Sequence, residues 1–388
     1  MSRIDDLIRD LCPDGAEYKP LGEILNYEQP GPYLVSSKEY NLSYLTPVLT
    51  AGATFILGYT NEQHGIYSAS QDSPAIIFDD FTTACKWVDF PFKAKSSAMK
   101  ILTSSSGNPV DLRYTYYVLE ALNYTPSTHS RHWISVFSNM QIAFPPRKVR
   151  EYIVSTLNRF KALEAELEAE LEARQQQYAY YRDILVAPRS SRESVKLGEV
   201  SHIARGASPR PIRNFITNND GIPWIKIGDV PPQGKYVTNT AQHISTDGAE
   251  KSRQIKPGDF ILSNSMSFGR PYISKINGCI HDGWLVISNY EKTFDPDFLY
   301  HVLRSTPIQN EFAQRAGSGT VRNLNSKIVS ETLVPAPPID QQREIVHLLD
   351  KFDLLVNDLT SGLPAEIEAR RKQYEYYRDR LLTFPEKK

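Results

Sequence analysis

The chain is poor in what would hold it in an oxidising compartment, in a membrane or around a reaction centre. Its three cysteines, Cys12, Cys85 and Cys279, form no CxxC pair and have no histidine at ligand spacing. That excludes a disulfide framework and a zinc finger, and predicts reduced thiols in a cytoplasmic protein. No run approaches the roughly 18 apolar residues of a membrane span, and the opening MSRIDDLIRDLCPDG carries four acids without the apolar core of a signal peptide. A nucleotide-driven motor would need GxxxxGK[ST]; the nearest stretch, Gly228 to Lys235, has one residue too many and continues into Tyr236. An adenine methyltransferase would need a glycine-rich cofactor loop and an Asn/Asp-Pro-Pro-aromatic site. The three Pro-Pro pairs continue instead as Pro146-Arg147, Pro232-Gln233 and Pro338-Ile339. Pro13-Asp14-Gly15-Ala16-Glu17-Tyr18-Lys19 echoes a PD…ExK nuclease pattern, but its two-residue gap leaves no room for the turn that gathers carboxylates on a metal. No histidine sits in a nucleophile motif. The expectation is a chain with no catalytic centre, no metal and no cofactor of its own.

At 388 residues, with 40% hydrophobic and 11% aromatic content, the chain suits two to four folded units. The formal charge is −1, but it is unevenly spread. Residues 188–338 hold 18 Lys/Arg against 13 Asp/Glu, whereas residues 15–147 hold 9 against 11. The later segment is moderately basic, which is compatible with a polyanion without demanding one.

The chain repeats itself. Ala173 to Asp183, read as ARQQQYAYYRD, returns as ARRKQYEYYRD from Ala369 to Asp379 at an offset of 196. Upstream, Ile153-Val154, Leu157, Phe160 and Leu163 return as Ile345-Val346, Leu349, Phe352 and Leu355 at an offset of 192, which also carries Pro145-Pro146 onto Pro337-Pro338. Leu21-Gly22-Glu23-Ile24 reappears as Leu197-Gly198-Glu199-Val200. The unit is a globular segment, a Pro-Pro pair and a helical segment, used twice. In the first helical segment positions 153, 157, 160, 164, 167, 171, 174, 178, 181 and 185 step by four and three. That is a coiled-coil seam, interrupted only by Glu164 and Arg174. In the second the seam shifts by four residues at Ser361-Gly362-Leu363-Pro364, where proline predicts a break. Leu157, Phe160, Leu171, Tyr178, Tyr181, Leu349, Phe352, Tyr374 and Tyr377 carry the two seams. The economical partner of each is the other copy, and antiparallel pairing would place the globular segments at opposite ends; a seam packed on its own globular segment is the alternative.

Both globular segments read as mixed helix and short strand, and polar residues crowd the loops. The first offers Lys93, Lys95, Ser96, Ser97 and Lys100, then Arg131, His132 and Trp133. The second offers Lys226, then Asn264, Ser265, Ser267 and Arg270, then Thr320, Arg322, Asn323, Asn325 and Lys327. At offset 192 Arg131 falls on Asn323 and Trp133 on Asn325. Such residue types hold phosphates and read base edges, arginine on guanine and asparagine on adenine. Solvated loops are the plain alternative for any one of them; the recurrence at equivalent positions points to DNA.

Pro337-Pro338, the run Gln341-Gln342-Arg343-Glu344-Ile345, Gly362-Leu363-Pro364 and Gln373-Tyr374-Glu375-Tyr376-Tyr377-Arg378-Asp379 resemble the distal conserved region of type I restriction-modification specificity subunits. Gln177 to Asp183 resembles their central region, and Phe55–Thr60, Ile77–Thr83, Lys95–Lys100, Trp224–Asp229 and Gly258–Ser263 resemble landmarks of their recognition domains. The central copy departs from the pattern by replacing the Gly-Leu-Pro break with the Glu-rich run Leu163–Glu172.

The resemblance implies an α+β chain with two α/β target-recognition domains in tandem, residues 1–147 and 188–338. Helical spacers over 148–187 and 339–388 would pair as an antiparallel coiled coil in a pseudo-twofold repeat. It implies a non-enzymatic subunit whose domains each read one half of a bipartite, asymmetric double-stranded DNA site. Its helices would set the gap and dock two modification subunits. Those partners would bind S-adenosylmethionine and methylate adenine at N6, and two restriction subunits would use ATP and Mg; no membrane is involved. A methylation-only complex and a coiled-coil protein-interaction scaffold are the alternatives. About 35 helical residues span roughly 50 Å, enough to separate readers on major grooves ~34–36 Å apart. Exchanging residues 15–147 for another such domain is therefore expected to change one half-site of the methylated sequence and leave the other. A change in both halves, or in neither, would contradict two independent readers.

Overall fold

The computed structural model describes residues 6, 8, 10–52, 54–122, 124–126, 129–190, 193–217, 220–230, 234–264, 268–317, 323–358 and 361–387. They divide into two units, residues 1–165 with 369–388, and residues 166–368. The expected boundaries at 147/148, 187/188 and 338/339 separate helix from globular segment, whereas this division runs through the long helices Arg147–Leu185 and Leu363–Leu382. Each seam is shared out between two cores.

The first unit is built from β1 (Tyr18–Pro20), β2 (Leu25–Glu28), β3 (Thr46–Leu49), β4 (Ile56–Thr60), β5 (Ala75–Asp79), β6 (Cys85–Val88), β7 (Lys93–Ala94), β8 (Met99–Ser104) and β9 (Gln141–Ala143). A sheet in the order β2-β8-β5-β6 forms the middle, with a small sheet β4-β3-β7 and an outlying antiparallel pair β1-β9. The two central strands carry apolar stretches, Ala75 to Phe78 on β5 and Ile101 to Leu102 on β8, because both of their faces are covered. Ile76 and Phe78 on β5 and Leu102 on β8 enter a core shared with helices, while Ile77 and Ile101 enter a second core beside the small sheet. The strand period of two distributes one apolar run between two interiors.

Helix Pro109–Ala121 covers the first of those cores. Asn108 caps it by accepting from the Val110 N–H, proline opens it and Asp111 lies in its first turn. Val149, Ile153 and Leu157 of the long helix are buried in the same core. So are Tyr374, Leu381 and Phe384 from the chain's last helix and tail. The tail then closes on the start of the unit: Ala16 donates to the Pro385 carbonyl, Lys387 donates to the Ala16 carbonyl and the Tyr18 hydroxyl donates to the Phe384 carbonyl.

The second unit repeats the plan with β10 (Ser194–Lys196), β11 (His202–Arg205), β12 (Ile216–Thr217), β13 (Ile222–Ile225), β14 (Tyr236–Val237), β15 (Gln242–Ile244), β16 (Arg253–Ile255), β17 (Phe260–Ser263), β18 (Pro271–Ser274), β19 (Gly278–Ile280), β20 (Trp284–Ser288) and β21 (Leu333–Pro335). The sheet β11-β20-β17-β18-β14 matches the central sheet of the first unit, β10-β21 matches β1-β9, and β12-β15-β13-β19-β16 enlarges the small sheet. Register repeats as well as order: Tyr18 opposes Ala143 and Ser194 opposes Pro335. Phe260, Leu262, Leu285 and Ile287 face the helical core, while Ile261, Trp284 and Val286 face the other. The Leu-Gly-Glu repeat has a packing cause. A Cβ on Gly22 would lie 3.0 Å from the Ser138 carbonyl oxygen, and one on Gly198 would lie 2.7 Å from Ser330 Cβ.

The seam is real and its partner is the other copy. Among the described residues of the long helix, positions 153, 157, 160, 164, 167, 171, 174, 178 and 185 are withdrawn from solvent, whereas Tyr181 is 40% exposed. In the first unit Phe160 stacks on Tyr377 and Glu164 pairs with Arg371 at 2.7 Å, so numbers rise on one helix as they fall on the other. In the second, Tyr181 stacks on Phe352, and Arg189, just past the helix, meets Gln341 near the start of helix Ile339–Asn357. Both pairings are antiparallel, and both also rest on a globular core. The distal helices are separate, Ile339–Asn357 and Leu363–Leu382, as Pro364 requires.

Each Pro-Pro corner is tied back to its unit by one buried side chain at equivalent positions. Arg150 donates to the Pro145 carbonyl and to Asp111, while Gln342 donates to the Pro337 and Thr293 carbonyls and accepts from the Asp295 N–H. The Arg150 and Asp111 side chains are 9% and 8% exposed. Arg150→Ala, which strands the Asp111 carboxylate, is expected to destabilise the first unit by about 3–5 kcal/mol. Arg147→Ala, at an exposed pair with Glu151, should cost no more than about 0.5 kcal/mol. Urea titration followed by hydrogen exchange in helix Pro109–Ala121 separates the two.

Candidate nucleic-acid interface

In both units the strand at the centre of the main sheet ends beside two loops and holds them. In the first, the Asp80 N–H donates to the Ala98 carbonyl at 3.0 Å, and the Asp80 carbonyl accepts from the His132 N–H at 2.9 Å. Asp80 Oδ1 accepts from the His132 and Trp133 N–H groups at 3.0 and 2.8 Å. Its Oδ2 lies 3.1 Å from the Lys100 ammonium, with both side chains buried. The exposed Ser96 and Ser97 and the exposed Arg131 are thereby tethered to one strand end.

In the second unit the Asn264 N–H donates to the Gly283 carbonyl at 3.0 Å, and the Asn264 carbonyl accepts from the Leu324 N–H at 2.9 Å. Its side-chain amide donates to the Asp282 carbonyl at 2.8 Å. His132 and Leu324 are equivalent at offset 192, so the same two backbone bonds hold the same two loops. Exposed Asn323, Asn325 and Lys327 follow. Asn325 also caps helix Ser326–Glu331 by accepting from the Ile328 N–H, and Lys327 lies 3.9 Å from Glu331.

Burial sorts the expected contacts. Lys93 is an internal side chain that pairs with Glu62 at 2.9 Å and donates to the His64 carbonyl; this contact holds the Glu62 carboxyl below its ordinary value. Lys100, His132, Trp133 and Asn264 are likewise buried, the indole of Trp133 lying against Phe78 and Tyr27. These five are corrected from surface contacts to internal supports, because their polar groups or rings are spent inside the unit. Arg270 turns its Nε and Nη2 inward beside Tyr272 and is not presented as a base reader. Lys95 is half-buried and donates to the Tyr40 hydroxyl, and Lys226 is half-buried. Ser265, Ser267, Thr320 and Arg322 lie outside the described residues.

Of the seam residues, Leu157, Tyr178, Leu349 and Tyr374 are buried. Tyr178 hydrogen-bonds His301 and Tyr374 donates to Glu120. Phe160 and Tyr377, and Tyr181 and Phe352, form the stacked pairs, and Leu171 packs at the edge of the second core.

The tertiary fold adds residues to the second edge. Arg205 donates to the Asp282 carbonyl at 3.1 Å, Ser208 donates to the Asp282 carboxylate at 2.7 Å, and the 84%-exposed Arg210 lies 3.7 Å from that carboxylate. The Ser208 bond is the main influence holding the Asp282 carboxyl below its ordinary value. Three arginines without an acid between Arg205 and Arg213 were the available sequence signal. Asp80 carried none beyond its place after an apolar run.

The model of the type I restriction modification DNA specificity domain matches residues 190–369. The specificity subunit of the type I restriction enzyme EcoR124I/EcoR124II of Escherichia coli is 42% identical over 99% of this chain and 98% of its own. The chain belongs to the type I restriction-modification specificity subunits. A specificity subunit assigned to Haemophilus influenzae is 28% identical over 95% of each chain. Two solved structures share the fold: the S subunit from M. genitalium (TM-score 0.51, 16% identity, 94% of this chain and 96% of that one), and a chain from a study of complex assembly and conformational transition of the type I system (TM-score 0.63, 14% identity, 95% and 98%). A specificity subunit is the non-catalytic, DNA-recognising member of its complex. No helix among the described residues is long and apolar enough to cross a membrane.

His281, beside Asp282, gives the second edge a pH dependence. Its Nδ1 faces the Gly283 N–H at 2.6 Å and its Nε2 faces the Ile227 N–H at 3.2 Å. Burial lowers its pKa from the ordinary 6.5, outweighing Asp282 and Asp229, which favour the charged ring, while Lys226 acts with burial. The folded state binds this proton less readily than the unfolded chain, so stability is full above about pH 6.5 and is lost as pH falls through the depressed value. The buried His301 acts in the same direction. The second unit should melt lower at pH 5.5 than at pH 7.5, and His281→Asn should shrink that difference without abolishing it; an unchanged difference would remove His281 from the account.

Proposed function

We propose that each unit reads one half of a bipartite, asymmetric DNA site, with the paired helices setting the gap and docking two modification subunits. Those subunits would supply S-adenosylmethionine and methylate adenine at N6, one in each half-site. Restriction subunits, two in number, would add ATP- and Mg-dependent translocation and cleavage in the cytoplasm. The observation that carries the reading is one loop-holding edge built twice with unlike side chains: Ser96, Ser97 and Arg131 in one unit, Arg205, Arg210, Asn323 and Asn325 in the other. Equivalent scaffolds support equivalent docking on a duplex, while different side chains imply different bases. Exposed guanidinium, hydroxyl and amide groups suit phosphates and base edges. Extrusion of the target adenine falls to the modification subunit while this chain holds the flanking duplex.

The test is co-expression with the cognate modification subunit in a host lacking DNA methylation, followed by genome-wide mapping of N6-methyladenine. A two-part motif with a constant unspecified gap is expected. An assembled complex that methylates nothing, or a contiguous motif, would overturn the reading. DNA binding by the complex should also weaken steeply with salt as phosphate contacts are screened.

A further inference from the structure

We infer that Asp80 and Asn264 are equivalent positioning residues that hold the base-reading loops of their own half-sites, one by an ionic clamp and the other by a neutral one. This rests on the two-reader proposal. Neither side chain is offered to DNA, since Asp80 is 1% and Asn264 3% exposed. Each instead directly follows a central strand, donates its N–H to the loop preceding the next central strand and accepts through its carbonyl from the loop 192 residues apart in the two copies. The side chain adds the third tie. In the first unit Asp80 Oδ1 takes two further N–H groups, from His132 and Trp133, while Oδ2 faces Lys100. In the second the amide of Asn264 reaches the Asp282 carbonyl, whose carboxylate and backbone hold Ser208, Arg210 and Arg205.

Where the first unit buries a charge it also buries its counter-charge. Lys100 is the second residue of β8, and the second residue of the matching β20 is Leu285. The ion pair and the Asn–Leu combination are thus two solutions to one requirement, holding two loops to one strand end without leaving a buried charge alone. What matters for reading is where the loops are held, since a binding constellation must be kept within about 0.5 Å of its productive geometry by the residues that support it.

The test uses the complex of this chain with its modification subunits and duplexes carrying the wild-type methylation motif, intact or mismatched in one half. Domain exchange assigns the halves to the units. Asp80→Ala should reduce the mismatch penalty in the first half by about tenfold or more, within the range one base pair usually carries, and leave the second-half penalty unchanged. KM should rise more than kcat falls. Asn264→Ala should do the converse. The double variant Asp80→Asn with Lys100→Met, which imports the neutral solution, should keep both penalties. An assembled Asp80→Ala complex with both penalties intact, or with both lost, overturns the inference. So does loss of first-half discrimination in the double variant. If Asp80→Ala does not assemble, Asn264→Ala, which removes no charge, decides on the same criteria. A wild-type complex without a bipartite motif would instead sink the two-reader proposal, so the two failures are distinguishable.

Discussion

Where β5 and β17 leave their sheets, the next residue carries an N–H and a carbonyl into an interior that water does not reach. Buried backbone groups of this kind are paired almost without exception. Here the partners are two loops from distant parts of the chain. Ala98 and His132 meet at Asp80, and Gly283 and Leu324 meet at Asn264. The loops that carry Ser96, Ser97 and Arg131 in one unit and Asn323 and Asn325 in the other are tied to the sheet by that pairing. A sheet interior, stiff because both faces are packed, thus sets the position of loops that are otherwise free to vary.

The side chains added to this scheme differ in kind. Asp80 uses a charge and therefore needs Lys100 in the same interior; Asn264 uses an amide and needs only a carbonyl. The long helices show the same economy. Arg150 and Gln342 secure equivalent Pro-Pro corners, one with a carboxylate partner and one with carbonyls alone. Duplication preserved the hydrogen-bonding task at each position while the chemistry that meets it diverged. A scaffold maintained in this way can carry two recognition surfaces that need not read alike.

The helical seam was legible because its signal is repetitive. Steps of four and three from Ile153 onward survive Glu164, which finds Arg371, and Arg174, which bonds Gln177. The break at Pro364 was equally plain, since a proline there interrupts helical bonding whatever surrounds it. The candidate interface was legible only in part. Ser96, Ser97, Arg131, Asn323, Asn325 and Lys327 lie on the surface as the loop reading requires. Lys93, Lys100, His132, Trp133 and Asn264 do not, because a polar residue beside a turn looks the same whether its partner is solvent, a nucleic acid or a buried carboxylate.

The sequence by itself determined the duplication, the seam and its break, and the family. All of these are local or periodic, written in spacings that no distant contact can change. Tertiary structure alone decided that the helices Arg147–Leu185 and Leu363–Leu382 each divide between the two units, that the tail from Phe384 to Lys387 closes the first unit, and that Asp80 and Asn264 are counterparts. Those outcomes hang on hydrogen bonds and ion pairs between residues tens to hundreds of positions apart. Which buried polar group meets which is settled when the packed interior removes water as the competing partner.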